Sequence, residues 1–256
     1  MTSTSTEPSA ARRPTIPHLP ALDGLRGLAV LGVLLFHDGR LSGGYLGVDL
    51  FFVLSGYLIT SLLLAEWKAA GRIDLAQFWI RRARRLFPAL LALMPAVALY
   101  AATLAKPGEL LRIRWDGFAT LGYVANWRAI FAGRSYWDMF EAPSPLEHTW
   151  SLAIEEQFYV LWPLLTVAAL RLFKGSRRAM FAICLGLGIV STSLLVWHGI
   201  RIGGTDRAYL GTDTRGAAIL FGAALACFLA EFRSSPPTGP SRSLDALGLV
   251  AVLVLG

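Results

Sequence analysis

Six long apolar runs are the feature that most restricts what this chain can fold into. They cover approximately residues 22–38, 46–65, 86–104, 148–170, 179–197 and 212–230. Each is close to the ~20 residues that a helix needs to cross a bilayer. Charged residues are 16% of the chain, whereas soluble domains average about 25%. With a shorter last run at 244–256, the sequence predicts an all-α, polytopic transmembrane helix bundle of about six complete spans and a truncated seventh.

The distribution of basic residues predicts how the bundle is oriented. The net charge is +7, but the basic residues lie in short runs at Arg12-Arg13, 81–85 and 171–178, not in one patch. These runs alternate with charge-balanced connections such as 106–147, so the positive-inside rule places them in the cytoplasm. We therefore expect a multi-pass plasma-membrane protein with the bilayer, and no nucleic acid, as a partner. Residues 1–17 are expected to be a disordered cytoplasmic N-terminus and 18–256 a single, C-terminally incomplete membrane domain.

Two ionisable residues interrupt the first apolar run. Arg26 and His37 are eleven residues apart, which places them on one face of a helix and about 16 Å apart along its axis. A charged residue near the centre of a spanning helix costs about 2.5–3.5 kcal/mol. We therefore expect both to face protein or a water-filled cavity, and we assign both to a candidate catalytic site.

His37 could act as a general base. A neutral imidazole accepts a proton near neutral pH, which suits the activation of a hydroxyl group. Alone, His37 would more often be a histidine at the end of a helix in the interface. The presence of Arg26 on the same face favours the functional interpretation.

The arginine run before the third apolar segment could bind phosphate groups. Its members are Arg81, Arg82, Arg84 and Arg85. Arginines three residues apart share a helix face and can bind phosphates in a bidentate manner, which would suit a cytosolic coenzyme A thioester. By charge alone, anchoring to anionic lipid is the more common role of such a run.

Two adjacent carboxylates lie early in the fourth apolar run. Glu155 and Glu156 are costly there unless they are paired or line a cavity, and we place both in the candidate catalytic site. His148 is seven residues before Glu155 and shares its face. The alternative is that the carboxylates form interhelical ion pairs, for example with Arg215, that fix the bundle.

A glycine-rich stretch begins the second apolar run. Gly47, Ser55 and Gly56 are small enough to permit close helix contacts, and packing is the favoured interpretation of the glycines. Asp49 could pair with His37 or with another cation across such a contact. The residues assigned supporting roles are Asp23, Asp49, Ser55, His148, Trp150, Asp213 and Arg215. No metal site is predicted, because Cys184 and Cys227 both lie inside apolar runs.

Several motifs, in a fixed order, carry a resemblance to a known family. They are LDGLRG at 22–27 followed by His37, GYLGVDLFFVLSGYLI at 44–59, FWIRRARRLFP at 78–88, NW at 126–127 and SPLEHTWSLAIEEQFYVLWP at 144–163. Together they resemble the acyltransferase type 3 family of membrane-bound acyltransferases, which modify cell-surface sugars in many bacteria.

The resemblance implies an O-acyltransferase that moves an acyl group, most often acetyl, from cytosolic acyl-CoA to a hydroxyl of a cell-envelope carbohydrate or lipid-linked acceptor. Arg26 and His37 match the residues tied to activity in the family, and Glu155-Glu156 match its acidic pair. Arg82 and Arg85 match the arginine pair linked to the donor, and Arg81 with Arg84 match it equally well. No tightly bound cofactor is implied, since acyl-CoA is a substrate.

Family members have more spans than this chain, and some add an extracytoplasmic SGNH-type domain. Such a domain or protein is therefore a further implied partner. Two other functions remain open. One is a proton-coupled transporter in which Arg26, His37, Asp49 and Glu155 form a path through the membrane. The other is a non-catalytic scaffold in which these groups only hold the bundle together.

Overall fold

The structure is a computed structural model that describes residues 20–132, 144–201 and 205–232. Within these ranges the chain forms nine α-helices, two short 3₁₀ turns and no strand, which confirms the predicted all-α class. The predicted disordered N-terminus 1–17 and the short apolar run 244–256 lie outside the described residues. Aromatic residues in the connection 106–147 suit a membrane interface, but two of them, Tyr136 and Trp137, lie outside the described residues as well.

The structure has the following nine helices in the described residues. They are α1 Pro20–His37, α2 Leu46–Ala70, α3 Leu75–Thr103, α4 Leu110–Leu121, α5 Ala125–Phe131, α6 Thr149–Leu172, α7 Arg177–Arg201, α8 Thr205–Leu210 and α9 Thr212–Phe232. Five segments are long and apolar enough to cross a membrane, namely Pro20–His37, Ser42–Ala70, Leu75–Thr103, Arg177–Ile200 and Thr212–Glu231. The chain is therefore a multi-pass membrane protein.

The remaining predicted span, 148–170, forms α6. This helix has 24 residues, enough to cross a bilayer at 1.5 Å per residue. It carries the polar residues Glu155, Glu156 and Gln157 near its start and is not among the five segments given above. Its place as a span remains a prediction.

The core of the bundle is the contact between α2 and α9. A side chain at Gly56 would meet the backbone carbonyl of Ile219, and one at Gly222 would meet that of Val53. Reciprocal glycines therefore let the two backbones approach closely, which confirms the packing interpretation of Gly56. Around this contact, α6 and α7 complete a core of buried residues, which includes Ile59, Leu63, Trp162, Leu170, Met180, Cys184 and Cys227.

Helix α1 packs on the start of α2 in the same manner. A side chain at Gly44 would meet the carbonyl of Gly32, and one at Gly47 would meet that of Ala29. Ala29 is the buried residue of α1, whereas Leu28, Leu31 and Leu34 are all more than half exposed. The outer face of α1 is therefore apolar, as expected for contact with lipid.

The start of the third span differs from the prediction. The apolar pattern placed this start at residue 86, after an amphipathic linker and the arginine run. In the structure α2 continues to Ala70 and ends at Gly71, whose φ of 64° is left-handed. Helix α3 then begins at Leu75, where the Asp74 side chain accepts a hydrogen bond from the Gln77 amide at 3.0 Å. The arginine run lies inside α3, because the N-cap at Asp74 starts the helix before the apolar segment does.

Candidate functional site

Two histidines meet at one end of the bundle. His37 is the last residue of α1 and His148 immediately precedes α6, and their ring centroids are 4.9 Å apart in an edge-to-face arrangement. Nδ1 of His37 lies 2.8 Å from the carbonyl oxygen of Val33. Because a carbonyl only accepts, Nδ1 must carry the proton, which leaves Nε2 of the neutral ring as an acceptor. The geometry is therefore that of a base acting through Nε2.

The surroundings of His148 favour its neutral form. Burial, and then the nearby His37, lower the pKa of His148 below its usual value, because both disfavour the charged form of the His148 ring.

The acidic pair of α6 lies further into the bundle, among cations from two other helices. Glu155 accepts a hydrogen bond from Ser55 of α2, with Oγ and Oε1 2.5 Å apart. The guanidinium groups of Arg82, Arg26 and Arg85 are close enough to Glu155 for an electrostatic interaction. The structure therefore brings together residues that the sequence had assigned to two separate roles, catalysis and donor binding.

The four arginines of the run do not share one environment. The Arg82 guanidinium carbon lies 3.6 Å from the ring centroid of Tyr159, a cation–π contact. Arg82 and Arg85 both interact with Glu156 as well. Arg82 is half-buried, whereas Arg81, Arg84 and Arg85 are exposed on α3. The interaction with the acidic pair therefore distinguishes Arg82 and Arg85 from Arg81 and Arg84, which the motif matched equally well, although donor binding by either pair remains a prediction.

Asp23 lies beside Arg26 one turn earlier in α1. The Arg26 guanidinium donates to the Asp23 carboxylate at 3.4 Å, and the two side chains are 33% and 52% exposed. This contact lies at the surface of the bundle. It can orient Arg26 but adds little to stability, since exposed ion pairs contribute about 0–1 kcal/mol.

The other predicted carboxylates pair with arginines of the last helices. Arg215 donates to both oxygens of Asp49, at 3.0 Å and 3.3 Å, and its guanidinium carbon lies 4.3 Å from the ring centroid of Tyr209. Arg207 donates to Asp213 at 2.7 Å. The sequence left open whether Asp49 pairs with His37 or with another cation, and the structure pairs it with Arg215. These contacts tie α2 and α8 to α9.

Trp150 is a core residue. It is only 2% exposed and packs edge-to-face on Phe52 and against Tyr209, at centroid distances of 6.4 Å and 4.9 Å. It therefore packs the start of α6, directly after His148, against α2 and α8; a supporting role in the site remains a prediction.

A buried amide network was not among the predicted site residues. Gln157 donates to Asn126 at 3.0 Å and to the carbonyl of Tyr123 at 2.7 Å, and it accepts from Thr212 at 2.6 Å. Asn126 donates to Thr212 and to the carbonyl of Leu210. The network joins α5, α6 and the start of α9 one residue beyond Glu156. The position of Gln157 beside the carboxylates was the available signal.

Metal binding is not indicated in the part of the chain that the structure describes. No group of three or more histidine, cysteine or acidic side chains there has the arrangement that would hold a metal ion.

These features define a class, a polytopic helical membrane protein with ionisable side chains running from a histidine pair at one end to arginines deeper in the bundle. The chain belongs to the acyltransferase type 3 family, since residues 19–256 match the family described as an acyltransferase domain. This confirms the family that the motifs predicted. No solved structure matches the chain.

The most informative relatives are bacterial O-acetyltransferases. The chain is 43% identical over 244 residues to the peptidoglycan O-acetyltransferase OatA of Listeria monocytogenes serovar 1/2a, which is 92% of this chain and 38% of that protein. It is 41% identical over 242 residues to the O-acetyltransferase OatA of Staphylococcus aureus strain NCTC 8325, or 93% of this chain and 40% of that protein. A putative O-acetyltransferase of S. aureus strain COL is 42% identical, with the same coverage. The chain therefore spans about two fifths of the length of these relatives.

Proposed function

We propose that this chain is the membrane part of an O-acetyltransferase that transfers acetyl groups from acetyl-CoA to hydroxyl groups of a cell-wall carbohydrate. The observation that carries the proposal is its 43% identity, over nearly the whole chain, to a peptidoglycan O-acetyltransferase. The bundle geometry supports it, because a histidine whose Nδ1 is hydrogen-bonded to a backbone carbonyl and arginines that interact with the acidic pair of α6 supply the base and the cations that such a transfer uses.

The proposed orientation follows from the basic runs of the sequence. With the N-terminus in the cytoplasm, the arginines of α3 lie near the cytosolic surface and the two histidines near the outer one. Arg82 and Arg85 bind the phosphates of coenzyme A, and Arg26 directs the thioester into the bundle. At the outer end, Nε2 of His37 takes the proton of the acceptor hydroxyl as its oxygen becomes acylated.

A partner outside the membrane completes the proposal. The relatives are more than twice as long as the stretch that matches, so the membrane part acts in them within a larger protein. We propose that an SGNH-type domain or protein receives or directs the acyl group at the outer surface, next to the carbohydrate.

The test is to incubate membranes that contain the protein with radiolabelled acetyl-CoA and to measure label in the cell-wall carbohydrate fraction. The wild-type protein is expected to label this fraction. The His37→Ala variant should reduce labelling by about 100-fold or more, the range typical of a lost general base. His198→Ala, which changes a histidine of α7, serves as the matched control.

Two results would contradict the proposal. If a His37→Ala protein inserts normally and still labels the carbohydrate at the wild-type rate, His37 does not take part in the reaction. Solute or proton flux through the protein without consumption of acetyl-CoA would favour the transporter alternative.

A further inference from the structure

Helix α4 is amphipathic in the opposite sense to a helix on a water-facing surface. Leu111, Trp115 and Phe118 lie on one face, at spacings of four and three residues, and are 65%, 51% and 54% exposed. The buried face carries the polar residues Asp116 and Thr120. A helix that borders water turns its polar face outward instead. The exposed face of α4 therefore suits an apolar environment.

The position of α4 along α3 identifies that environment. Ile113 of α4 shares a buried cluster with Val97 of α3 and with Leu146. Val97 lies seven residues, or about 10 Å of helix axis, before the end of the apolar run 86–104. This run is part of a segment long and apolar enough to cross a membrane. Helix α4 therefore packs beside the membrane-spanning part of α3, where its outward face meets lipid acyl chains.

Contacts with α6 show the direction in which the chain continues from α4. Thr120, in the last turn of α4, is hydrogen-bonded to Thr149 at the start of α6, at 2.9 Å. The carbonyl oxygen of Tyr123, three residues later, accepts a hydrogen bond from Gln157 at 2.7 Å. Gln157 is eight residues, or about 12 Å of helix axis, further along α6 than Thr149. The end of α4 therefore extends further into the bundle.

Helix α5 then runs back along α4. Arg128 of α5 reaches Asp116 of α4, with Nε and Oδ1 3.4 Å apart, although the two residues are far apart on either side of Tyr123. Tyr123 has a φ of 53°, a left-handed value that ends α4 in the same way as a glycine would. The two helices therefore form a hairpin whose tip is at residues 122–124.

The buried amide network is what such a tip requires. Lipid offers no hydrogen bonds, so non-helical backbone at membrane depth must find its partners within the protein. The backbone amides of residues 122–124 all donate to carbonyls in the last turns of α4. The carbonyl of Tyr123 accepts from Gln157, which is held by Asn126 at 3.0 Å. Asn126 is 0% exposed, so these bonds are shielded from water as well as from lipid.

We infer that α4 and α5 form a re-entrant hairpin, which enters the bilayer from the end of the bundle where His37 and His148 meet and packs its exposed face against lipid acyl chains. In α4, Arg114 is the exposed charged residue nearest the tip. Its side chain is long enough to extend towards the lipid phosphates. Part of the connection that the sequence places outside the membrane is thus a wall between lipid and the buried polar network.

The test is spin labelling of single introduced cysteines in the full chain, reconstituted in phosphatidylcholine vesicles. Collision rates are measured with oxygen, which concentrates in lipid, and with a water-soluble nickel chelate. Leu111→Cys and Phe118→Cys report on the outward face of α4. Leu99→Cys on α3, where Leu99 is 65% exposed, is the control for lipid, and Arg40→Cys, where the Arg40 side chain is 75% exposed, is the control for water.

We expect both α4 labels to collide often with oxygen and rarely with nickel, as at Leu99→Cys. The label at 118 should lie deeper than the label at 111, by up to about 10 Å, the axial distance between the two positions. Wild-type protein, in which Cys184 and Cys227 are 0% exposed, gives the background. Melting temperatures establish that the variants fold, and Trp115→Cys provides a second position on the same face.

Three results would overturn the inference. Nickel collisions at the rate of Arg40→Cys would place the face of α4 in water. Equal depths at 111 and 118 would show a helix that lies flat on the membrane surface and does not enter it. Protection from both reagents would show that protein, either a second copy or a further part of a longer chain, covers this face in place of lipid.

Discussion

The imidazole of His148 predicts how the protein responds to acid. Its pKa is lowered in the folded protein by burial and by His37. In the unfolded chain the group takes up a proton as the pH falls through about 6.5. Between that value and the lower folded pKa, the unfolded state binds more protons, so the free energy of unfolding decreases as the pH falls through this window and is fully restored above it.

This dependence should be visible in the melting temperature. From about pH 7 down to about pH 5, where histidine titrates, the wild-type protein should lose more thermal stability than His148→Gln, which cannot take up the proton. Parallel curves for wild type and His148→Gln would show that another group causes the acid sensitivity.

The ion pair between Asp49 and Arg215 links two helices through single residues. Arg215 is 10% exposed and Asp49 is 24% exposed, so loss of one partner leaves a largely buried charge unpaired. We expect Asp49→Asn or Arg215→Met to lower the free energy of unfolding by about 3–5 kcal/mol. The double variant Asp49→Asn/Arg215→Met should recover part of this loss.

A double-mutant cycle of thermal or denaturant unfolding measures the coupling between the two side chains. The pair Arg178 and Glu231 is the control, since Arg178 is 77% exposed and surface pairs contribute about 0–1 kcal/mol. Strictly additive losses at Asp49 and Arg215 would contradict the assignment of this pair as the link between α2 and α9.

At the scale of the helices, glycines determine how closely α2 and α9 approach. Gly56 lies against the backbone of α9, whereas a side chain at Gly186 of α7 would meet nothing within 4 Å. The same substitution should therefore have opposite effects at the two sites. Gly56→Ala should lower the free energy of unfolding by about 1–3 kcal/mol through overpacking, whereas Gly186→Ala should raise it by up to ~1 kcal/mol through helix propensity.

Melting curves of the two variants in one detergent provide the comparison. Both variants replace a glycine by alanine in the interior of a helix, so helix propensity alone predicts that both stabilise the protein. A stable Gly56→Ala protein would therefore show that α2 and α9 do not depend on close backbone contact.

The sequence predicts the features of this molecule that are set by residues close together in the chain. Hydropathy places the apolar helices within a few residues, because lipid requires each span to satisfy its own backbone. It misplaces the start of α3, because an N-cap at Asp74 and a left-handed Gly71 are turn features that an apolar pattern does not record. It treats 106–147 as a polar connection, although α4 and α5 form part of it.

The same is true of the candidate site, where features within one helix are predicted and contacts between helices are not. Local spacing predicts that His148 and Glu155 share a face, and that Arg82 and Arg85 are one turn apart. It does not predict that Asp49 pairs with Arg215, 166 residues away, or that His37 touches His148. Nor does it show that Gln157, and not its acidic neighbours, ties α6 to Asn126. These pairings are set by how helices distant in the chain cross, which a pattern within one helix does not contain.

For the molecule as a whole, the ionisable groups divide the bundle into a histidine end and an arginine region. In such a bundle, one face of α3 points towards α6 and the other points away from it. Arg82 and Arg85 interact with the acidic pair of α6, and Arg82 is half-buried, whereas Arg81, Arg84 and Arg85 are exposed. If the inward face binds the donor, then two arginine pairs of equal charge in one short run have different effects on the reaction.

We therefore expect Arg82→Ala/Arg85→Ala to weaken the binding of acetyl-CoA, seen as a rise in KM of about 10-fold to 100-fold, since hydrogen bonds to charged groups contribute about 1.5–3 kcal/mol each. Arg81→Ala/Arg84→Ala removes the same charge from the same helix and should leave KM within about 2-fold of wild type, because the residues of the run that interact with the acidic pair of α6 are Arg82 and Arg85. Initial rates of acetyl transfer in membranes, measured over a range of acetyl-CoA concentrations, separate KM from kcat. If both double variants raise KM equally, the run acts through its total charge at the membrane surface, and the inward face of α3 has no special role in donor binding.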